Sequence, residues 1–387
     1  MSFKKFIPYG RHLIDEEDIN AVIEVLKSDF ITQGPKIKEF EEKLAEKLGA
    51  KYAVVFNSGT SALHAAYFSL GLSKEDEFIT TPITFAATSN AGIFLGAKPV
   101  FCDVEEDTGN INPDLIEEKL SSRTKLIIPV HYAGHSCDME RIREIADKYG
   151  LFVVEDACHA LGAKYKSSKI GSCEFSDATV FSFHPVKHIT TGEGGAVLTN
   201  REDIYEKLLM FRSHGITKDR KKFIKNQNGD WYYEMQFLGF NYRMTDIQAA
   251  LGISQLKKLD GFVKRRRDIV KIYNEAFHYN PYFNVPVEKE YAYSSYHLYP
   301  IRLKDDFKNK KKEIFQLLRV KGLGVQVHYI PVYLHPYYQK LGYKKGECPI
   351  AEEFYEREIS LPIYPSMTNE DIDFVVKTIF EVFKEVG

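Results

Sequence analysis

The chain has 387 residues, of which 44% are hydrophobic and 27% charged, a composition typical of a globular protein long enough for two domains. Its 52 basic and 54 acidic residues leave a formal net charge of -2, which excludes a global attraction to nucleic acid or to membranes, so any anion site must be local. The five cysteines form no C-x-x-C pair, which argues against a disulfide framework and a metal site, and without a signal-peptide pattern or an apolar membrane-spanning run we expect a cytoplasmic protein.

Two amphipathic helices are predicted near the N-terminus. Residues 15–28 carry an apolar stripe on one helical face, formed by Ile19, Val22, Ile23 and Leu26. The second helix begins with Pro35 in its first turn and ends before Gly49. Its apolar stripe consists of Ile37, Phe40, Leu44 and Leu48.

Apolar strands and helical segments then alternate along the chain. The predicted strands are residues 52–56, 78–81, 99–103, 126–130 and 152–155. The segments between them are long enough for right-handed crossovers in a parallel sheet. We therefore predict an α/β fold with a doubly wound, mostly parallel sheet, and we expect the ligand at the carboxyl ends of its strands.

The pattern changes after this region. Residues 217–236 are polar and basic around the only tryptophan, Trp231, and are predicted to form a long, mobile loop. A helix is predicted from residue 246 to 259 and onward to Phe277, with the basic run at 264–267 on its solvated face. The remainder mixes strands at 297–303 and 324–328 with helices at 308–321 and 369–385. We predict a large domain at 1–259, with the N-terminal segment, and a smaller α+β domain at 260–387.

Lys187 is the strongest candidate for chemistry. It follows the apolar strand that ends near Phe183 and precedes a Thr-Thr-Gly-Glu-Gly-Gly loop. A lysine amine can attack an aldehyde to give a Schiff base, so it can hold pyridoxal phosphate covalently and reversibly. The alternative is a solvated surface lysine, which the apolar strand and the glycine-rich loop argue against.

Three other stretches supply candidate ligands. Residues 57–62 follow a strand and open a helix, so backbone N–H groups and the Thr60 hydroxyl could bind a phosphate, although Ser and Thr are also ordinary N-caps. Asp156 ends a buried strand and could pair with a protonated pyridine nitrogen, or could cap the next helix. His159 could bond the phenolic oxygen of the cofactor, and Phe85 could stack on its ring. A structural histidine and a core aromatic are the corresponding alternatives.

Taken in order, four motifs resemble the DegT/DnrJ/EryC1/StrS sugar aminotransferase family. They lie at residues 57–62, 155–162, 181–195 and 241–244. The resemblance implies a fold type I aminotransferase that uses pyridoxal 5'-phosphate, acts on nucleotide-linked keto sugars and forms a homodimer.

The same resemblance implies roles for single residues. Lys187 would be the internal aldimine lysine and proton shuttle, with Asp156 as the partner of the pyridine nitrogen and His159 on the ring oxygen. The cofactor phosphate would be bound by Gly59, Thr60, Ser182 and, from the neighbouring subunit, Asn241. The active sites of the dimer would then be shared.

Within the family, residues 56–58, 82–88, 183–187 and 325–329 are most similar to the subgroup of the pseudaminic acid pathway. This implies amino transfer from L-glutamate to C4 of a UDP-linked 2-acetamido-4-keto-2,6-dideoxy sugar, which gives UDP-4-amino-4,6-dideoxy-N-acetyl-beta-L-altrosamine. Candidates for binding this substrate are Arg212, His214, His328 and Tyr329.

Two alternatives to this function remain open. The enzyme could aminate another nucleotide-linked keto sugar, such as a UDP-4-keto-pentose or a 3-keto sugar. A protein of another class, a non-catalytic regulatory protein that binds pyridoxal phosphate, would keep the fold without turnover. Relatives with histidine in place of the lysine are dehydratases, and Lys187 argues against that activity.

Overall fold

The computed structural model describes residues 5–225 and 229–387, and these residues form a large central sheet with helices on both faces. The seven strands of the sheet are, in spatial order, Tyr52–Phe56, Gly195–Thr199, Ala178–Ser182, Phe152–Asp156, Thr124–Ile128, Glu77–Thr80 and Lys98–Phe101. Only Gly195–Thr199 runs antiparallel to its neighbours in this sheet. The predicted mostly parallel α/β sheet is confirmed, and the five predicted strands occur with ends displaced by at most two residues.

Alternation along each strand sends side chains into two separate cores. Val55 and Ile79 pack into one core with the helices Pro35–Leu48, Met139–Tyr149 and Asp246–Phe277. Val54 and Phe78 pack into the other core with the helices Gly59–Ser69, Ala87–Ile93 and Glu202–Phe211. Because both faces are covered, the strands are continuous apolar runs, as expected for a parallel sheet.

The two predicted N-terminal helices are present as Glu16–Leu26 and Pro35–Leu48. Gly49 ends the second helix with a positive φ of 87°, as predicted from its position. The apolar stripe of the first helix is largely exposed in the single chain: Ile19, Ile23 and Leu26 are 42%, 38% and 57% exposed. This helix therefore presents an apolar face that the chain itself does not cover.

The C-terminal part contains an antiparallel sheet and five helices. Its strands are Phe283–Asn284, Tyr299–Leu303 and Glu358–Leu361, and its helices are Asp305–Lys308, Lys311–Val320, Pro336–Lys340, Pro349–Arg357 and Asn369–Val386. The strand predicted at 324–328 is reduced to Leu323–Gly324, which pairs with Ile7–Pro8. The helix Asp246–Phe277 runs unbroken across positions 259 and 260, and the division of the chain at this point stays a prediction.

Further short strands pair with one another outside these sheets, and one pair borders the predicted loop. These are Lys164–Tyr165 with Ser168–Lys169 and Ala292–Tyr293, and Ile216–Thr217 with Glu234–Met235. The last pair brings the ends of the loop at 217–236 together, while positions 226–228 of that loop lie outside the described residues. Across the described ranges, no helix is long and apolar enough to cross a membrane. The same ranges contain no group of three His, Cys, Asp or Glu side chains that could hold a metal ion.

The prediction that residues 264–267 form a solvated helix face is wrong for Arg266. Its side chain is fully buried, and its guanidinium donates to the backbone carbonyls of Tyr296, His297 and Ile363. Burial lowers the pKa of Arg266 to about 10. The buried guanidinium thus ties the long helix to two segments of the C-terminal part.

Candidate active site

A cavity of about 820 Å³ lies beside the carboxyl ends of the strands Phe152–Asp156 and Ala178–Ser182. This is the position expected for the ligand site of a parallel α/β sheet. Nine of the predicted site residues line the cavity: Gly59, Thr60, Phe85, Asp156, His159, Ser182, Lys187, His328 and Tyr329. The sheet thus brings together residues from both ends of the chain.

Lys187 reaches the cavity from the loop that connects the strands Ala178–Ser182 and Gly195–Thr199. Its backbone N–H donates to the His184 carbonyl at 2.8 Å, which fixes the turn before the glycine-rich segment. Burial lowers the pKa of Lys187 to about 8, although Cys158 and Asp156 oppose this shift. With such a pKa, about one molecule in ten carries the free amine at pH 7, far more than for an ordinary lysine, and only the free amine is nucleophilic.

Asp156 is a buried carboxylate held by two hydrogen bonds. Its Oδ2 accepts from the Thr88 hydroxyl at 2.6 Å, and its Oδ1 accepts from the Cys158 backbone N–H at 3.1 Å. Thr88 Oγ1 lies 2.7 Å from Thr84 Oγ1, so a second hydroxyl supports the first. Each carboxylate oxygen keeps a further lone pair, and the group can accept one more donor from the cavity.

The start of the helix Gly59–Ser69 forms a cradle beside Ser182. Ser58 caps this helix by accepting from the Ser61 N–H at 3.1 Å, whereas the N–H groups of Gly59 and Thr60 have no acceptor within the helix. A Cβ atom on Gly59 would lie 2.9 Å from the Ser182 Cβ, so only glycine allows the helix to approach this closely. Free N–H groups and a hydroxyl at a helix start are suited to a phosphate.

His159 lies between Tyr329 and His297. Its Nε2 is 2.9 Å from the Tyr329 hydroxyl, and its ring centre is 4.3 Å from that of His297. Burial lowers the pKa of His159 well below its usual value, and the Lys187 charge acts in the same direction. The buried Nδ1 of His159 has no hydrogen-bond partner in the described chain.

Three predicted residues do not line this cavity within one chain. Arg212 forms an ion pair with Glu41 and donates to the Val55 carbonyl at 2.8 Å. His214 and Asn241 are exposed neighbours, linked through the bridge between Ser213 and Asn241. Their roles in substrate or phosphate binding stay predictions.

Three residues at the site were not assigned from the sequence. His297 Nε2 lies 3.4 Å from Lys187 Nζ, and Thr88 holds Asp156 as described above. Tyr9 lines the cavity from the N-terminal segment. A single histidine or tyrosine far from the other motifs has no sequence pattern that marks it as a site residue. Thr88 lies within the run 82–88, and it could have been found by asking which hydroxyl binds the Asp156 carboxylate.

These groups fit pyridoxal phosphate. That molecule has an aldehyde, a pyridine nitrogen, a phenolic oxygen and a phosphate. The cavity offers an amine on Lys187, a fixed carboxylate on Asp156 and the imidazole of His159. The cradle formed by Gly59 and Ser182 supplies the remaining donors.

Comparison with known proteins gives matches over almost the full length. Residues 12–380 match the DegT/DnrJ/EryC1/StrS aminotransferase family. An uncharacterized protein of Methanocaldococcus jannaschii is 48% identical over 384 residues, which is 99% of both chains. The UDP-4-amino-4,6-dideoxy-N-acetyl-beta-L-altrosamine transaminase of Campylobacter jejuni is 44% identical over 385 residues, which is 98% of both chains.

Solved structures agree with these matches. Helicobacter pylori PseC, an aminotransferase involved in the biosynthesis of pseudoaminic acid, superposes with a TM-score of 0.92 and 39% identity over 98% of this chain and 100% of that one. The PLP-form of Spr1654 from Streptococcus pneumoniae gives a TM-score of 0.92 at 31% identity over 99% of this chain and 100% of that one.

Proposed function

The chain belongs to the DegT/DnrJ/EryC1/StrS aminotransferase family, and we propose that it transfers the amino group of L-glutamate to C4 of a UDP-linked 2-acetamido-4-keto-2,6-dideoxy sugar. It is a sugar aminotransferase that depends on pyridoxal phosphate. The product would be UDP-4-amino-4,6-dideoxy-N-acetyl-beta-L-altrosamine, a precursor of pseudaminic acid. The full-length similarity to the Campylobacter jejuni transaminase supports this substrate.

The observation that carries the chemistry is that Lys187 and Asp156 face one cavity. When bound, pyridoxal phosphate supplies an aldehyde that can hold an amino group and a ring that can take up electron density. The Asp156 carboxylate, oriented by Thr88, would accept a hydrogen bond from the pyridine nitrogen and keep that nitrogen protonated. Asp156 would thereby hold a proton on the ring nitrogen, which would make the bound ring a better acceptor of electron density.

Lys187 Nζ would act as nucleophile and as proton carrier. Because its pKa is lowered to about 8, the amine can accept a proton and release it again near neutral pH. His297 Nε2 lies 3.4 Å from this amine and would orient it. Phe85 lines the mouth of the cavity, where it would cover one face of the cofactor ring.

The remaining proposed contacts hold the cofactor in place. Gly59, Thr60 and Ser182 would bind the phosphate, and His159 would bind the phenolic oxygen. Asn241 would contribute to the phosphate site of a second copy of the chain, which agrees with its exposure outside its own cavity.

A homodimer with shared sites is therefore part of the proposal. The exposed apolar face of the helix Glu16–Leu26 would be buried against the second subunit. Trp231, at 82% exposed, and Leu238, at 73% exposed, lie on the segment that leads to Asn241 and would add to that interface. We place the enzyme in the cytoplasm, where L-glutamate and nucleotide sugars are both found.

The direct test is the forward reaction. Holoenzyme with L-glutamate and the UDP-linked 4-keto sugar should give a product with one amino group at C4, identified by mass spectrometry and NMR. Preference for a UDP-4-keto-pentose or a 3-keto sugar would replace the proposed substrate with one of the alternatives. Absence of turnover with every keto sugar and amino donor, despite bound cofactor, would favour the regulatory protein.

A further inference from the structure

A buried chain of hydrogen bonds runs from Glu358 to His328 at the cavity wall. Glu358 Oε2 accepts from the backbone N–H of His328 at 2.7 Å, and Glu358 Oε1 accepts from the Ser360 hydroxyl. Ser360 Oγ lies 2.8 Å from His328 Nδ1. All three side chains are buried, and His328 also lines the cavity.

The direction of this chain follows from what each group can do. Burial raises the pKa of Glu358 to about 7 against the opposing Lys311 charge, so above that pH the carboxylate can only accept. The Ser360 proton is therefore used toward Glu358, and the Ser360 oxygen must accept from His328 Nδ1–H. Burial lowers the pKa of His328 to about 3, so the ring is neutral and carries a single N–H. That N–H is on Nδ1, which leaves a lone pair on Nε2.

We propose that Glu358 and Ser360 are positioning residues that fix His328 as the Nδ1–H tautomer, so that its Nε2 accepts a hydrogen bond from a substrate hydroxyl in the cavity. No hydrogen bond from Nε2 to another described residue is present. That the hydroxyl belongs to a sugar rests on the proposed function, whereas the tautomer follows from the protein alone. Such a site selects a sugar that presents a hydroxyl at this point over one that lacks it.

Glu358→Gln should reverse the direction of the hydrogen bonds between Ser360 and its two neighbours, residue 358 and His328. The backbone N–H of His328 can only donate, so the new amide must turn its oxygen toward that group and its NH2 toward Ser360. The Ser360 hydroxyl would then donate to His328 Nδ1, and the ring proton would move to Nε2. The variant would thus present a donor where the native protein presents an acceptor.

Glu352→Gln is a matched control. Glu352 is also a buried acid that accepts from one backbone N–H, of Gly346, and from one hydroxyl, of Tyr333. The Tyr333 hydroxyl does not continue to a histidine of the cavity. If the loss of any buried carboxylate were enough to change the His328 tautomer and sugar binding, both variants should change alike.

The test combines NMR with kinetics on the holoenzyme at pH 8. Protein labelled with 15N-histidine should show the His328 signal, identified by its loss in His328→Gln, as the Nδ1–H tautomer in the wild type and in Glu352→Gln. Glu358→Gln should show Nε2–H and raise KM for the nucleotide sugar by at least about 10-fold, with the half-reaction with L-glutamate unchanged. Ser360→Ala should weaken sugar binding in the same direction.

Three results would overturn the proposal. An Nε2–H tautomer in the wild type would contradict the positioning role, and this result needs only His328→Gln to fold, for the assignment, and none of the Glu358 or Ser360 variants. An unchanged KM in a Glu358→Gln protein with a switched tautomer would remove the substrate contact. Equal changes of tautomer and KM in Glu352→Gln would show that both carboxylates act only through the stability of the fold. If no nucleotide sugar is turned over, the proposed function fails, and the tautomer measurement still decides the role of Glu358 and Ser360.

Discussion

Thr88 donates its hydroxyl hydrogen to Asp156 at an Oγ1–Oδ2 distance of 2.6 Å, and this bond orients the carboxylate that faces Lys187 across the cavity. Thr88 lies on the helix Ala87–Ile93, whereas Asp156 ends a central strand. The contact therefore couples a helix on one face of the sheet to the proposed partner of the cofactor ring.

The first prediction concerns this bond. Thr88→Val keeps the shape of the side chain but removes a hydrogen bond to a charged group, typically worth roughly 1.5–3 kcal/mol. We expect the dissociation constant for pyridoxal phosphate to rise about 10-fold, measured by cofactor absorbance on titration of the apoenzyme. Thr84→Val removes a hydroxyl that touches Thr88 but not the carboxylate, so it should change the constant by less than about 3-fold. An equal rise of the dissociation constant in both variants would show that Thr88 contributes through packing and not through its hydrogen bond to Asp156.

Asp156→Asn should separate cofactor binding from turnover. The amide can still hydrogen-bond the ring but cannot keep the pyridine nitrogen protonated, so we expect much of the cofactor to remain while kcat falls on the order of 100-fold. Steady-state kinetics at saturating cofactor measure this. Near wild-type turnover would mean that Asp156 is not the partner of the ring.

Glu155→Gln is the control for that substitution. Glu155 precedes Asp156 but points to the opposite face of the strand, where it contacts His131, Ser176 and Thr179. We expect this variant to lower the melting temperature while the folded enzyme keeps most of its kcat.

Lys187 gives a prediction about pH and stability. Its pKa is about 8 in the folded chain and about 10.4 in an unfolded one, so between these values the unfolded chain binds more protons. The stability of the native apoenzyme therefore rises with pH across this window, relative to a variant without the amine. Apo Lys187→Met should melt above the wild type at pH 7, with a smaller difference at pH 9.5.

A surface lysine provides the comparison for this pH effect. The Lys38 side chain is 81% exposed, so apo Lys38→Met should show no such convergence with the wild type between the two pH values. A difference for Lys187→Met that is constant with pH would show that its amine is not shifted. Borohydride reduction of the holoenzyme should, in addition, attach the cofactor to the peptide that contains Lys187, and recovery on another lysine would exclude Lys187 as the attachment site.

Subunit mixing tests the shared site. Lys187→Ala and Asn241→Ala protomers should each be inactive, but a heterodimer would contain one doubly defective site and one intact site if Asn241 serves the neighbouring subunit. Activity should then recover on mixing, toward about half of the wild-type value per heterodimer, because one of its two sites is intact. Subunit exchange demonstrated by native mass spectrometry without recovered activity would show that each site is built within one chain.

Local pattern predicted much of the fold. Pro35 and Gly49 bracket their helix as expected, because proline fits a first helical turn and glycine fits the left-handed position after the last. The prediction of a strand at 324–328 is wrong in its extent, because only Leu323–Gly324 pairs with another strand. Gln326 forms a single bridge to Ser360. Apolar alternation cannot tell whether a partner strand is available.

Long-range contacts account for what the sequence could not predict. Arg266 stands in a basic run that resembles a solvated helix face, yet carbonyls near residues 296 and 363 surround its guanidinium. His297 is 110 positions from Lys187, and no spacing rule connects the two. The nine predicted residues that do line the cavity lie at strand ends or helix starts or in short motifs, where local sequence and site position are linked.

The half-reaction in the reverse direction tests the proposed function most directly. Holoenzyme mixed with purified UDP-4-amino-4,6-dideoxy-N-acetyl-beta-L-altrosamine should lose the absorbance of pyridoxal phosphate and gain that of the pyridoxamine form, and added 2-oxoglutarate should restore it with release of L-glutamate. UDP-4-amino-arabinose and a 3-amino sugar nucleotide, measured in parallel, should react at least about 10-fold more slowly, since their pocket contacts differ. Faster conversion of either of these, or conversion only with free amino acids, would contradict the proposed substrate.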